Sequence, residues 1–191
     1  MGKIIFVSGG VSSGKSDFAE KLCREREGKI LYIATSLPLD EEMKEKKRKH
    51  IEKRAGMNWD TLEKYRGLYK DVEKISEKYS TALLDCITMM VSNLIFEDDF
   101  NFDAEDIEEA EKKKEKIVYE VENLLKEIRK YGTDFIFVTN EIGLGGVSPN
   151  RLGRYFSQVC GEINRMVAEA ADCAYLVVSG IPVLIKEGNN E

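Results

Sequence analysis

Eight residues near the amino terminus match the pattern G-x-x-x-x-G-K-[ST]: Gly9, Gly10, Val11, Ser12, Ser13, Gly14, Lys15 and Ser16. They follow an apolar run and precede an amphipathic stretch, which is the strand-to-helix context of a phosphate-binding loop, or P-loop. Glycines let the backbone wrap closely around phosphates, and the amides and dipole of the following helix favour negative charge. Lys15 would place its charge at the β- and γ-phosphates, and Ser16 would offer a hydroxyl to Mg²⁺. The pattern therefore predicts a nucleotide-binding site; a glycine-rich turn without a ligand is the alternative.

Two carboxylates stand at the ends of apolar runs that resemble strands. Asp85 ends the run TALLD, and Glu141 follows DFIFVTN. Open α/β sheets build their ligand sites at the carboxyl ends of the strands, and a P-loop needs a carboxylate near its magnesium ion. An ordinary strand-end cap is the alternative for each residue. We predict Ser16 and Asp85 as the metal ligands.

The chain's one histidine, His50, lies in a strongly basic stretch. Seven of the eleven residues from Lys44 to Arg54 are lysine or arginine, against two glutamates. Neighbouring cations favour the neutral imidazole, which is a good nucleophile near pH 7. Attack on a phosphorus atom is therefore chemically reasonable. From spacing alone, a solvated helix face with an incidental histidine is the alternative.

Strand-like and helix-like runs alternate along the chain and would position these groups. The runs KIIFVS, KILYIATS, TALLDCIT, DFIFVTN and AYLVVS lack polar alternation, as is typical of parallel strands covered on both faces. Helices are predicted at about 16–27, 40–54, 61–78, 86–96, 104–131 and 150–171. The short connection in SGIPVLIK permits only an antiparallel last strand. The predicted fold is α/β, a mostly parallel sheet with helices on both faces and an antiparallel edge hairpin.

Size and composition limit the classes of function. The 191 residues, 42% of them hydrophobic, suit a single domain spanning 1–191. A net charge of −6 argues against a general binder of nucleic acids or anionic membranes. No signal segment is evident and no apolar run approaches the ~20 residues of a membrane span, so we expect a cytoplasmic protein without stable membrane insertion. The four cysteines lie far apart, which indicates neither a zinc site nor a redox pair.

Motifs along nearly the whole chain resemble those of the bifunctional adenosylcobinamide kinase / adenosylcobinamide-phosphate guanylyltransferase family of cobalamin assembly. In order, they are SGGVSSGKS, ILYIATS, DEEM with His50 seven residues on, NWDTLE, LLDCIT, VTNEIGLGGVSPNRLGRYFSQVCGEIN and AADCAYLVVSGIPVLIK. The resemblance implies a RecA-like P-loop fold and a homo-oligomer, commonly a trimer. It also implies two reactions: phosphorylation of adenosylcobinamide by ATP or GTP, then GMP transfer from GTP to give adenosylcobinamide-GDP.

The same resemblance implies roles for individual residues. His50 corresponds to the histidine that the family guanylylates, and the P-loop with Lys15 serves both reactions. Because the two reactions use different phosphorus atoms, we expect the His50 helix to move between them. Beyond the P-loop, the implied nucleotide contacts are Ala34, Thr35, Ser36, Ile51, Glu52, Lys53, Arg54, Glu63 and Asp85.

The chain departs from the family pattern at two of these positions. Ser12 stands where the family typically has an arginine, and Asp85 stands where it typically has a glutamate. Two other functions remain open from sequence. One is a small-molecule kinase without nucleotidyl transfer, and the other is a non-catalytic nucleotide switch whose basic helix docks a polyanionic partner.

Overall fold

The computed structural model of the protein describes residues 1–36, 45, 48, 59–97 and 107–188. Most of the predicted helix 40–54 lies outside these residues, including His50 and the segment 51–54.

The described residues form a sheet in which all neighbouring strands are parallel except the last pair. Its strands are β1 (Ile4–Gly9), β2 (Ile30–Ala34), β3 (Trp59–Glu63), β4 (Thr81–Asp85), β5 (Asp134–Asn140), β6 (Cys173–Val178) and β7 (Ile181–Lys186). Their spatial order is β3-β2-β4-β5-β1-β6-β7, and β6 pairs with β7 in the antiparallel sense. The predicted parallel sheet with an edge hairpin is confirmed.

Helices cover both faces of the sheet. They are α1 (Lys15–Arg24), α2 (Val72–Ser76), α3 (Ile87–Phe96), α4 (Ile107–Ile128) and α5 (Arg151–Ala170). Side chains of a strand alternate between faces, so Ile4 and Phe6 of β1 pack with α3, α4 and α5, whereas Ile5 and Val7 pack with α1. Burial on both faces explains why the central strands are apolar without alternation.

Four of the predicted helices agree with α1, α3, α4 and α5 to within three residues at each end. The predicted helix 61–78 is wrong at its start, because Trp59–Glu63 pairs in parallel with β2 as the edge strand β3. All five residues of β3 are at least partly exposed, so the strand carries little of the apolar pattern that marks the central strands. Gly67, with φ of 64°, then interrupts any continuous helix, and only a 3₁₀ turn (Leu68–Lys70) and the short α2 follow.

None of the helices within the described ranges has the length and apolar character needed to cross a membrane.

Candidate nucleotide-binding site

The loop between β1 and α1 depends on glycine at two positions. Gly14 caps α1 with φ of 89°, in the left-handed region, and a Cβ there would lie 3.2 Å from Cα of Gly180. At Gly9, a Cβ would lie 2.5 Å from the Ser13 Oγ and 2.6 Å from the Val177 carbonyl oxygen. A side chain is therefore strained or excluded at both positions, and the backbone itself forms the wall of the loop.

Lys15 begins α1 and turns back over this loop. Its side chain is buried, at 8% exposure, and its Nζ donates a hydrogen bond to the Gly10 carbonyl oxygen at 3.0 Å. Burial lowers the pKa of the Lys15 amine below its ordinary value, while Cys86 and Asp85 nearby act in the opposite direction. The amine is thus close to its own loop and to the end of β4, where it can meet phosphate oxygens.

Backbone hydrogen bonds from the segments after two neighbouring strands hold the P-loop in place. The N–H of Glu141, just after β5, donates to the Gly9 carbonyl oxygen at 3.0 Å, and the N–H of Gly180 donates to the Ser13 carbonyl oxygen at 2.8 Å. Since β5 and β6 flank β1, these bonds fix the loop from both sides. The structure therefore brings the backbone of the candidate Glu141 next to the predicted P-loop.

Asp85 ends β4 on the same side of the sheet as α1. It lies two residues after Leu83, which packs in the α1 cluster, and strand side chains repeat every second residue. The Tyr32 hydroxyl donates a hydrogen bond to its Oδ2 at 3.2 Å. The adjacent Cys86 thiol is buried, and burial raises its pKa to about 12, so it stays protonated and is not a nucleophile near neutral pH.

The predicted magnesium ligands have suitable chemistry and lie close to the P-loop lysine. Ser16 is the second residue of α1, directly after Lys15, and Asp85 lies close enough to Lys15 to affect its pKa. A hydroxyl and a carboxylate are oxygen donors of the kind Mg²⁺ prefers, and Mg²⁺ commonly takes one or two protein ligands and completes its shell with water and phosphate oxygens. In the described part of the chain, no group of three or more His, Cys, Asp or Glu side chains could hold a metal alone. The residues thus fit an Mg²⁺ ion that is shared with a nucleotide.

A cavity of about 270 Å³ opens at the carboxyl ends of β2 and β3. Four predicted nucleotide contacts come together in its wall, and four further residues complete the lining. The lining residues are Ala34, Thr35, Ser36, Glu63, Lys64, Tyr65, Arg66 and Glu97. Arg66 and Glu97 form an ion pair at 2.8 Å. Sequence reasoning missed Lys64, Tyr65 and Arg66 because it placed residues 61–78 in a helix and so did not recognise the end of an edge strand there. It missed Glu97, directly after α3, because only the folded chain brings that residue to Arg66.

The P-loop and this cavity both lie at the carboxyl ends of the parallel strands. Strands β5 and β4 stand between β1 and β2, which separates the two features by roughly 14 Å at ordinary strand spacing. Asp85, at the end of β4, lies between them. The predicted contacts Ile51, Glu52, Lys53 and Arg54 and the predicted nucleophile His50 lie outside the described residues.

Comparison with known proteins identifies close relatives of this chain. A family model described as cobinamide kinase / cobinamide phosphate guanyltransferase matches residues 5–185. The bifunctional adenosylcobalamin biosynthesis protein CobU of Escherichia coli is 36% identical over 188 residues, covering 96% of this chain and 99% of that protein. Its namesake from Salmonella typhimurium is 39% identical over 183 residues, again covering 96% and 99%. CobP of Pseudomonas aeruginosa, also a bifunctional adenosylcobalamin biosynthesis protein, is 30% identical over 180 residues, covering 94% and 95%.

A more distant solved structure, from Pyrococcus horikoshii OT3, shares the fold. It aligns with a TM-score of 0.53 at 10% identity and covers 98% of this chain and 88% of that chain. The family resemblance predicted from the motifs is confirmed by the full-length matches. The chain belongs to the cobinamide kinase / cobinamide phosphate guanyltransferase family.

Proposed function

We propose that this protein is a bifunctional transferase. It phosphorylates adenosylcobinamide with ATP or GTP, and it then transfers GMP from GTP to the resulting phosphate, giving adenosylcobinamide-GDP. The single observation that carries this function is the P-loop, in which the left-handed Gly14 starts α1 and brings Lys15 beside Asp85. Membership of the family supplies the substrate class, since its members are described as cobinamide kinases and guanyltransferases.

In the first reaction the protein mainly positions the nucleotide. Lys15 leaves the Gly10 carbonyl oxygen, to which it is hydrogen-bonded here, and binds the β- and γ-phosphates together with the loop amides. Ser16 and Asp85 would hold Mg²⁺, which would neutralise phosphate charge when bound. The hydroxyl oxygen of adenosylcobinamide attacks the γ-phosphorus. A nucleoside diphosphate leaves, and the hydroxyl proton is released.

In the second reaction His50 is the nucleophile. Its neutral imidazole nitrogen forms a bond to the α-phosphorus of GTP as the bond to pyrophosphate breaks. A phosphate oxygen of adenosylcobinamide phosphate then attacks the same phosphorus, and the imidazole leaves. Residues 51–54, with Arg54 among the cations near the triphosphate, contribute to nucleotide binding, as do Ala34, Ser36 and Glu63 around the cavity. The His50 segment moves between the two reactions because their phosphorus atoms differ.

The active form is a homotrimer by analogy with the family. The apolar outer strand β7 is consistent with assembly, because Ile181, Val183, Leu184 and Ile185 are 44–66% exposed on an edge strand. Sedimentation equilibrium at several protein concentrations tests this assembly. A monomer at micromolar concentration would contradict it.

Labelled GTP tests the two reactions together. With [α-³²P]GTP, we expect stoichiometric label on the protein that is acid-labile and alkali-stable, as a phosphoramidate is, and that is discharged by adenosylcobinamide phosphate. With [γ-³²P]GTP or [γ-³²P]ATP, we expect label on adenosylcobinamide. Transfer of the γ label without any protein-bound GMP would instead indicate a kinase that lacks nucleotidyl transfer. Nucleotide binding without either transfer would indicate a switch.

A further inference from the structure

Thr35, directly after β2, connects that strand to the end of β4 through its N–H and its hydroxyl. Its N–H donates to the Asp85 carbonyl oxygen at 3.3 Å, and its own carbonyl oxygen accepts a hydrogen bond from Asn93 Nδ2 at 2.6 Å. Its hydroxyl donates to the Cys86 carbonyl oxygen at 2.7 Å and accepts from the Cys86 N–H at 2.9 Å. Both donors of this residue, 1% exposed, are thus committed to the two residues at the end of β4.

Tyr32 holds the side chain of the same carboxylate. Its ring is buried in the α1-facing cluster, at 8% exposure, and its hydroxyl reaches Asp85 Oδ2 at 3.2 Å. Thr35 therefore fixes the backbone on each side of the Asp85–Cys86 peptide, and Tyr32 of β2 fixes the carboxylate itself.

We propose that Thr35 and Tyr32 are positioning residues that together aim the Asp85 carboxylate at the phosphate site. The inference rests on the proposed nucleotide site and assigns Thr35 a role other than direct recognition of the nucleotide. Because the Thr35 hydroxyl proton is already donated to Cys86, this side chain has no donor left for a phosphate or a base. The Asp85 carboxylate stands on a short side chain, so its direction depends on how the backbone at the end of β4 is held.

The test compares nucleotide affinity with and without metal. A fluorescent GTP analogue is titrated into the full-length protein in Mg²⁺ and again in EDTA, and the ratio of the two dissociation constants gives the metal-dependent gain. Partners that orient a metal ligand are worth on the order of tenfold in metal affinity, so Thr35→Val should reduce that gain by about tenfold. The dissociation constant in EDTA should stay at the wild-type value. Thr35→Ser, which keeps the hydroxyl, should retain the gain.

Two further variants make the comparison specific. Thr133→Val is the matched control, because Thr133 is also buried, at 3% exposure, and its hydroxyl also donates to a backbone carbonyl, that of Tyr79 at 2.8 Å. Thr133 directly precedes β5 and so lies at the amino-terminal ends of the strands, whereas Asp85 lies at their carboxyl ends. The variant should therefore leave the metal-dependent gain unchanged. In the double variant Thr35→Val/Asp85→Asn, the loss should not exceed that of Asp85→Asn alone, since both changes act through one carboxylate.

Several results would overturn the inference. Equal losses in Mg²⁺ and in EDTA would make Thr35 a direct nucleotide contact, and additive losses in the double variant would make it independent of Asp85. If Thr35→Val does not fold, Tyr32→Phe replaces it and should also reduce the metal-dependent gain in nucleotide affinity. A wild-type gain in Tyr32→Phe would overturn the inference. A wild-type protein without metal-dependent nucleotide binding would instead contradict the proposed function. The two failures are therefore distinguishable.

Discussion

The backbone N–H of Gly180 donates a hydrogen bond to the Ser13 carbonyl oxygen at 2.8 Å. Gly180 lies in the turn between β6 and β7, more than 160 residues along the chain from the P-loop that it holds. On the other side of β1, Glu141 holds Gly9 in the same way. The conformation of the P-loop thus depends on the carboxyl-terminal hairpin as well as on its own glycines.

Gly14→Ala tests this packing. An alanine at φ of 89° costs about 1–2 kcal/mol, and its Cβ would lie 3.2 Å from Cα of Gly180. We expect urea denaturation to give a lower free energy of unfolding by about that amount, together with weaker nucleotide binding. The control is Gly161→Ala in α5, where a Cβ meets nothing within 4 Å and a helical alanine should stabilise by up to about 1 kcal/mol. Wild-type stability and affinity in Gly14→Ala would contradict the described loop geometry.

Lys15→Ala should impair both reactions while leaving the fold intact. Burial lowers the pKa of the Lys15 amine, so the folded state disfavours its charged form, and removal of the side chain should not reduce the free energy of unfolding at neutral pH. Nucleotide affinity and both transfer rates should fall together, because one loop serves both reactions. Lys21→Ala is the control, since Lys21 lies on the same helix with 69% of its side chain exposed. Wild-type kinase rates in Lys15→Ala would exclude this loop as the phosphate site.

Local patterns predicted the P-loop, Asp85 and the central strands because each depends on residues close together in sequence. A glycine-rich turn, an apolar run and a strand-end carboxylate are readable without knowing the partner strand. The edge strand β3 was missed because its pairing with β2 joins segments about 30 residues apart and little of it is buried. The contacts of Tyr32 with Asp85 and of Thr35 with Cys86 join residues more than 50 positions apart. The order of the strands in the sheet determines which residues these side chains contact.

Asp85→Asn shows whether Asp85 is a metal ligand or a structural cap at the end of its strand. The amide keeps a similar shape and can still accept a hydrogen bond from Tyr32, but it lacks the negative charge that attracts Mg²⁺. The Mg²⁺ concentration for half-maximal kinase rate should rise severalfold, measured by titration at saturating nucleotide. Asp85→Glu, which keeps the carboxylate, should be tolerated. If Asp85→Asn has the wild-type metal and nucleotide dependence, Asp85 is a structural cap.

Asp172 should make stability depend on pH in the acid range. Burial acts to raise the pKa of this carboxyl, but hydrogen bonds from Arg129 at 2.9 Å and from the Ile4 N–H at 2.6 Å outweigh it, and the pKa is lowered. A carboxyl whose pKa is lower in the folded state stabilises the fold above its unfolded value of about 3.9, and that contribution is lost as pH falls through the folded value.

Asp172→Asn should therefore reduce the free energy of unfolding at pH 7 and flatten its decline between about pH 5 and pH 2, measured by urea denaturation. The control is Glu25→Gln, since Glu25 is 57% exposed and its only described ion pair, with Lys21, spans 3.9 Å. An unchanged pH profile in Asp172→Asn would assign the acid sensitivity of the fold to other carboxyls.

His50→Ala should separate the two reactions. The variant lacks the chain's single imidazole, so no phosphoramidate can form and GMP transfer should fall by orders of magnitude. Phosphorylation of adenosylcobinamide should largely persist, with at most a modest rise in KM, because γ-phosphoryl transfer uses the P-loop, Lys15 and the metal ligands but no protein nucleophile. Both activities and GMP incorporation into the protein are measured on one purified preparation. Near-normal GMP transfer would exclude the covalent histidine. Loss of both activities would mean that His50 supports the fold or the shared nucleotide site, because a nucleophile used only in the second reaction cannot abolish the first.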